Sequence, residues 1–526
     1  MLARLHSHAV LGMEACPVEV ETDLGWGLPA FSIVGLPDAA VRESKERVRA
    51  GMANSGYDFP LRRITVNLAP ADVRKEGPAF DLPIALSLLA ASSQLRAAGN
   101  GGGGAPAAPC GGRIETFSAA GELSLDGSVR SINGALSMAE GARRLGHRGI
   151  LVPAENAGEA ALVDGVEVIP VATLKQAVEF LRGKAAIRPA GVDAAAMLAA
   201  GDGSRLDLAD VKGQAHARRA LEVCAAGGHN LLMIGPPGSG KTMLARRLPS
   251  ILPPLGIREA IEVTRIYSVA GLLGDGMPLI TRRPFRSPHH TISHVGLAGG
   301  GGSPCPGEIS LSHLGVLFLD ELPEFSRVAL ETLRQPMEDG TVVIARALAR
   351  VVYPASFMLV ASMNPCPCGH LGDSRRSCTC PPHRVAAYRG RVSGPLLDRI
   401  DVAVEVPGLD KAEMLRSGPR EPSAAVAARV EEARRRQSAR LEDSGIFCNA
   451  GMDTSQAERC CRLEPAAARL LENAIDRLGL SARAHHRILK VARTIADLDG
   501  AAGIAAAHLA EAVSYRSIDR KGWDGT

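Results

Sequence analysis

The segment that most constrains this chain is Gly235-Pro236-Pro237-Gly238-Ser239-Gly240-Lys241-Thr242. It stands between an apolar stretch, Asn230-Leu231-Leu232-Met233-Ile234, and the run Met243-Leu244-Ala245-Arg246-Arg247. The first reads as a short buried strand and the second as the opening of a helix, so this region must fold as strand, loop and helix. The glycines let successive backbone N–H groups turn toward a polyphosphate, and a helix start adds the positive end of its dipole. Lys241 is placed to reach β- and γ-phosphates, and the Thr242 hydroxyl to ligate Mg²⁺. The whole loop is expected to line a nucleoside triphosphate.

A second element complements it at Gly315-Val316-Leu317-Phe318-Leu319-Asp320-Glu321. An apolar run ending in two acids reads as a buried strand that delivers carboxylates to the edge of a sheet. Asp320 is expected to hold Mg²⁺, directly or through water, and Glu321 to polarise the attacking water. Alone such a run is common. Together with the loop it supplies the other part of one phosphoryl-transfer site.

A chain of 526 residues has room for roughly three or four domains, each able to bury a core. Its 46% apolar and 22% charged residues are ordinary for a soluble protein. Aromatics make up only 3%, so base-stacking platforms cannot be numerous, and a net charge of +4 does not argue nucleic-acid binding by itself. No apolar stretch reaches the length of a membrane span, and the N-terminus lacks a signal-peptide pattern; a cytoplasmic location is expected. There, eleven cysteines argue for reduced thiols or a metal.

The pattern predicts an α+β domain over 1–183, with strands at Gly149–Pro153 and Val166–Pro170 and helices at Ala135–Leu145 and Leu174–Leu181. A glycine-rich run over 97–112 reads as a loop inside it, and 184–205 as a linker. From 206 to 407 strands and helices alternate, as a parallel sheet requires. Over 408–526, Ala424–Arg440, Pro465–Leu478, Ala484–Ala496 and Ala505–Tyr515 read as the helices of a small bundle.

Within the central domain, Phe357–Ala361 reads as another apolar strand, ending in Ser362-Met363-Asn364. Asn364 could touch a γ-phosphate or orient water; locally it equally fits an Asn capping a turn before Pro365. Leu396-Leu397-Asp398-Arg399-Ile400-Asp401 reads as a helix end, where Arg399 taken alone is a surface ion pair. Near the C-terminus Ser481-Ala482-Arg483-Ala484 opens a helix that also carries Arg487 and Lys490.

The order of these parts resembles an AAA+ ATPase, an α/β P-loop parallel-sheet core with a C-terminal helical lid. More narrowly the chain resembles the magnesium-chelatase-like YifB/ComM family. The stretches Arg286–Thr291, Pro306–Leu311, Leu319–Phe325, Asn364–Gly369 and Ser393–Asp401 carry that resemblance, which spans nearly the whole chain. It implies ATP and Mg²⁺ as cofactors and a homo-oligomer, a hexameric ring with sites between neighbouring subunits. It makes Arg399 the arginine finger reaching the next subunit, Asn364 the sensor at the γ-phosphate, and Arg483 the lid sensor.

Gly35–Asp38, Glu43–Arg47 and Ile64–Leu68 also match the family's opening domain, which resembles the protease domain of Lon with its Ser-Lys dyad. By that alignment the nucleophile position is Ala79 and the lysine position Leu136. Neither side chain can do the chemistry, so the peptidase reaction has neither of its parts. The fold is expected to serve assembly or nucleic-acid binding.

Cys366-x-Cys368 and Cys378-x-Cys380 form two close pairs separated by nine residues. Brought together by the turn at Gly372-Asp373, they would make a closed tetrahedral structural Zn²⁺ site; the alternative is four reduced loop thiols.

Two classes of function remain. ComM-like proteins are associated with branch migration of recombination intermediates in natural transformation, which implies single-stranded or branched DNA as partner. The other class is a chelatase-type or protein-remodelling ATPase. For DNA, basic residues at Arg282–His290, the loop Gly296–Gly302 and the hairpin expected at Thr341–Tyr353, with Arg346 and Arg350 near its tip, are the candidate contacts.

Overall fold

The computed structural model describes residues 2–95, 113–200, 206–274, 276–301, 304–346, 349–373, 376–408, 420–444, 446–478 and 481–516. The glycine-rich run over 97–112 lies outside the described residues, as does Gly302.

The N-terminal region is built on a seven-stranded mixed sheet. Its strands lie in the order Ala30–Val34, Arg63–Ala69, Glu14–Gly25, Leu2–Leu11, Phe117–Ala119, Gly149–Pro153, Glu167–Val171. Residues of a strand alternate between its two faces. Leu5 and Ala9 accordingly join one apolar cluster with Leu82, Leu86 and Leu89 of helix Asp81–Ala91. His8 and Val10 face the other way, where Gly141 and Gly134 let helix Ala135–Arg144 come close.

The central region holds an all-parallel five-stranded sheet in the order Phe285–Arg286, Val316–Leu319, Met358–Met363, Leu231–Ile234, Val402–Glu405. Three of these strands, Leu231–Ile234, Val316–Leu319 and Met358–Met363, are buried along their whole length. That is what a parallel sheet covered on both faces demands, and it explains their unbroken apolar runs. The strand before the phosphate loop and the strand before Asp320 are not neighbours. Met358–Met363 runs between them.

Helices Ser423–Arg440, Thr454–Cys460, Pro465–Leu478, Ala482–Leu498 and Ala506–Ser514 follow. Val430, Ile488 and Ala492 from them share one cluster with Leu221 and Val223 of helix Ala215–Gly227 and with sheet residues Leu231 and Val402. A polar joint adds to this packing. Asp401 accepts from the Asn230 backbone N–H at 2.9 Å and lies 3.6 Å from Arg487 and 3.8 Å from His229, whose Nε2 is 2.8 Å from Thr494 Oγ1. Burial works against the Asp401 charge, but His229 and Arg487 hold it at about 2.

Residues 184–200 are not a loose tether. Helix Ala194–Ala199 forms there, and Val192, Ala194 and Met197 pack on a cluster shared by Leu136 and Val152 of the N-terminal sheet region and Leu255, Ala260 and Leu279 of the central region. No helix among the described residues is long and apolar enough to cross a membrane.

Candidate functional site

The phosphate loop leaves the sheet at Ile234 and re-enters regular structure at the short helix Lys241–Ala245. Gly240 caps that helix in the left-handed region, φ +93°, a conformation that a Cβ would penalise. Lys241 is turned into its own loop and is almost fully buried. Its Nζ donates to the Gly235 carbonyl at 2.7 Å, the Pro236 carbonyl at 3.0 Å and Asn364 Oδ1 at 3.2 Å. Burial lowers the Lys241 pKa, while Asp320 and Glu321 oppose the shift.

Thr242 Oγ1 donates to Asp320 Oδ2 at 2.7 Å. The other oxygen of Asp320 accepts from the Ser362 hydroxyl, so the carboxylate is oriented from one helix and one strand. Glu321 follows in the left-handed region at φ 54°, rare for a non-glycine residue, which turns its side chain out of the strand. The Glu321 side chain is exposed, and His290 Nδ1 stands 3.9 Å from its Oε2. The structure thus brings Lys241, Thr242, Asp320 and Asn364 into one connected cluster, with Glu321 at its edge. A hydroxyl beside a carboxylate is an oxygen donor set that fits Mg²⁺.

Two of the expected site residues lie apart from this cluster. Arg399 is 7% exposed, ion-paired with Glu338 and donating to the Pro395 carbonyl at 2.5 Å. Arg483 is exposed at the start of helix Ala482–Leu498. One turn further on, Arg487 is half-buried against Asp401 and donates to the Ile400 carbonyl at 3.4 Å.

The four cysteines do converge. Cys366 and Cys368 Sγ are 3.4 Å apart, each is 3.6 Å from Cys378 Sγ, and all four sulfurs lie within 4.8 Å of one another. Tetrahedral Zn²⁺ with Zn–S of about 2.3 Å needs sulfurs about 3.8 Å apart, so the donor set fits. His370 is turned instead toward Asp373, with Nδ1 3.1 Å from its Oδ2, and backbone N–H groups of His370 and Thr379 hold the Cys368 thiol at about 6.

Of the candidate nucleic-acid contacts, the first stretch is engaged internally. Arg286 forms a two-pronged pair with Glu308 at 2.6 and 2.7 Å, and Arg283 donates to the Pro253 and Leu314 carbonyls and to Glu259. The expected hairpin forms from Thr341–Arg346 and Ala349–Pro354. Arg350 is exposed on it and lines a cavity of about 720 Å³ together with Met13, Arg258 and Arg265. Ala79 and Leu136, expected at the positions of the dyad, lie in one apolar cluster.

Sequence reasoning missed Ser362 and Glu338, and placed His290 among the nucleic-acid contacts, where the structure sets it beside Glu321. Ser362 sits two residues before an Asn that was singled out, so its strand position was the available signal. Glu338 comes from a distant segment and had none.

A phosphate loop and an Asp-Glu pair on two strands of this parallel sheet, separated by the strand that ends in Asn364, define a P-loop protein of the AAA+ class. Residues 207–414 match the family model of magnesium chelatase, subunit ChlI; 20–156 match that of subunit ChlI of Mg-chelatase, and 420–516 that of the ChlI C-terminal part. The chain is 45% identical over 521 residues to protein YifB of Salmonella typhimurium, covering 99% of this chain and 98% of that one. It is 44% identical over 524 residues to competence protein ComM of Haemophilus influenzae, again covering 99% and 98%. A shorter likeness, 28% over 199 residues, links it to the magnesium-chelatase 67 kDa subunit of Heliobacterium mobile, covering 32% of this chain and 30% of that one. The chain belongs to the YifB/ComM family of magnesium-chelatase-like proteins.

Proposed function

We propose that this protein is a cytoplasmic, Mg²⁺-dependent ATPase that assembles as a hexameric ring and drives branch migration of DNA in recombination and natural transformation. The single observation that carries the ATPase reading is the cluster in which Lys241, Asn364, Asp320 and Thr242 are joined by hydrogen bonds across three separate chain segments. Full-length likeness to a competence protein supports the DNA part.

In this reading 206–407 is the motor core, 408–526 the lid, 1–183 a non-proteolytic Lon-like domain and 184–205 the connection. Gly238, Ser239 and Gly240 offer backbone N–H groups to the phosphates while Gly235, Pro236 and Pro237 shape the loop around them, the two prolines having no N–H to give, and Lys241 exchanges its loop carbonyls for β- and γ-phosphate oxygens. Thr242 and Asp320 would hold Mg²⁺, which would neutralise phosphate charge there. Glu321 orients water and accepts its proton, with Asn364 fixing the geometry at the γ-phosphate. Arg399 acts in the neighbouring subunit's site after release from Glu338, and Arg483 couples the lid to nucleotide. The four cysteines hold a structural Zn²⁺.

The test is ATP hydrolysis with and without single-stranded or branched DNA, together with resolution of a synthetic four-strand junction. Wild type should hydrolyse ATP faster with DNA and resolve the junction, and Lys241→Ala should do neither. Absence of DNA binding at low salt and of any DNA stimulation would sink the DNA reading in favour of a chelatase-type, protein-remodelling ATPase.

A further inference from the structure

The turn that carries the cysteines presses on the phosphate loop. Gly369, at φ +82°, comes so near that a Cβ there would stand 2.5 Å from Pro237 Cδ and 2.8 Å from its Cγ. The same turn begins at the cluster described above: Cys366 follows Asn364 by two residues, and Asn364 Oδ1 accepts from Lys241 at 3.2 Å. Its far end is tied back. Cys380 leads into helix Pro382–Arg389, and Arg389 Nε donates to the Pro365 carbonyl at 3.2 Å. Among its described residues, segment 364–389 is therefore closed at its base, gathered in the middle by four sulfurs, and meets the phosphate loop through Asn364 and Gly369.

Such a loop holds its shape only as well as its middle is held. Four thiols offer weak mutual hydrogen bonds, and their thiolate forms repel; a bound cation converts them into a rigid crosslink. We propose that metal occupancy of the four-cysteine site controls nucleotide affinity, with Gly369 and Asn364 transmitting the state of the turn to Pro237 and Lys241. The inference rests on the zinc reading given above. With the crosslink in place the phosphate loop is backed on the Pro237 side and Asn364 is positioned. Without it the turn samples other conformations and the receptive arrangement is only partly populated. Apparent affinity falls in proportion to that population, so a tenfold loss of the receptive fraction weakens binding about tenfold.

The experiment uses the full-length chain. Zinc per chain is measured by elemental analysis, affinity with a fluorescent ATP analogue, and local opening by hydrogen exchange over 235–242. Three proteins are compared: wild type, Cys378→Ser/Cys380→Ser, and Gly369→Ala. The double variant should lose zinc, bind the nucleotide about tenfold more weakly and exchange faster in the phosphate loop, while exchange over the N-terminal sheet stays as in wild type. Gly369→Ala should keep its zinc yet bind more weakly, because the added Cβ displaces Pro237; this arm separates transmission from loss of the metal or of the fold. Wild-type affinity in a zinc-free double variant overturns the proposal, as does wild-type affinity in zinc-loaded Gly369→Ala. A wild-type protein without zinc removes the zinc reading itself, and elemental analysis shows that before any nucleotide is added.

Discussion

Among the described residues two lysines are buried, Lys241 and Lys75, and Lys241 is the one that stands at the candidate site. Lys241 and Lys75 both donate to carbonyls of their own loops, and burial lowers the pKa of both. Around Lys241, however, Asn364, Asp320 and Glu321 arrive from two other strands. For Lys75 the acid that opposes the shift is Asp72, three residues away in sequence, and no described segment from elsewhere brings it a second one, while Ala79 and Leu136 lie together in an apolar cluster. A buried charge by itself therefore marks nothing. What separates the two regions is whether distant segments deliver polar groups to the same point, because each such delivery costs desolvation that packing alone does not require.

The sharpest break of this contrast is at the lysine itself. Lys241→Ala should reduce nucleotide affinity by at least about a hundredfold, read by titration with a fluorescent ATP analogue; affinity within threefold of wild type would leave the central cluster no more special than the N-terminal one. Next, Glu321→Gln should retain nucleotide binding while turnover falls about a hundredfold, consistent with loss of one general base. Equal losses in binding and turnover would assign Glu321 to holding the loop instead.

In the N-terminal region the expected change is in stability. Leu136 is fully buried, so Leu136→Lys places an amine in an apolar cluster and should cost several kcal/mol, roughly 3 or more, in thermal or denaturant unfolding. ATP turnover per folded molecule should hold. A stable, well-folded Leu136→Lys protein would show that this region is more forgiving, and wetter, than its packing implies.

Arg399 tests the edge of the central cluster. Mixing Arg399→Ala with Lys241→Ala subunits should restore a measurable fraction of wild-type turnover, since one class of interface then joins two intact halves. Glu338→Gln should raise turnover a few-fold if the pair with Glu338 competes with the action in trans. Mixtures no better than the separate parents would remove Arg399 as a finger.

A further effect is in acid. Burial, with His147 and His6 nearby, lowers His8 from 6.5 to about 3. The folded chain therefore stays unprotonated there while the unfolded chain takes up a proton, and stability falls as pH drops below 6.5, by about 1.4 kcal/mol per pH unit. Asp401 is depressed to about 2, so its contribution is complete above 3.8 and is lost only as pH falls toward 2. Between pH 6 and pH 4 the N-terminal sheet should loosen first, read by proteolysis of the two regions. His8→Gln should flatten that dependence.

Much of the central sheet was legible because parallel strands are buried on both faces and leave continuous apolar runs, as at Val316–Leu319 and Met358–Met363. The phosphate loop was legible because the left-handed backbone at Gly238 and Gly240 strongly favours glycine, so the chemistry is written in the residue types themselves. The hairpin at 341–354 and the C-terminal helices follow from local periodicity in the same way. Order of strands, the pairing of Arg286 with Glu308 and of Arg399 with Glu338, and the Gly369 contact on Pro237 were not legible. Each joins segments whose separation in sequence carries no local signal. Residue type determines what a group can do in chemistry, and local pattern determines the element that carries it. Which groups meet is decided by packing, because the same arginine is a phosphate ligand or an internal ion pair according to the acid that the fold brings beside it.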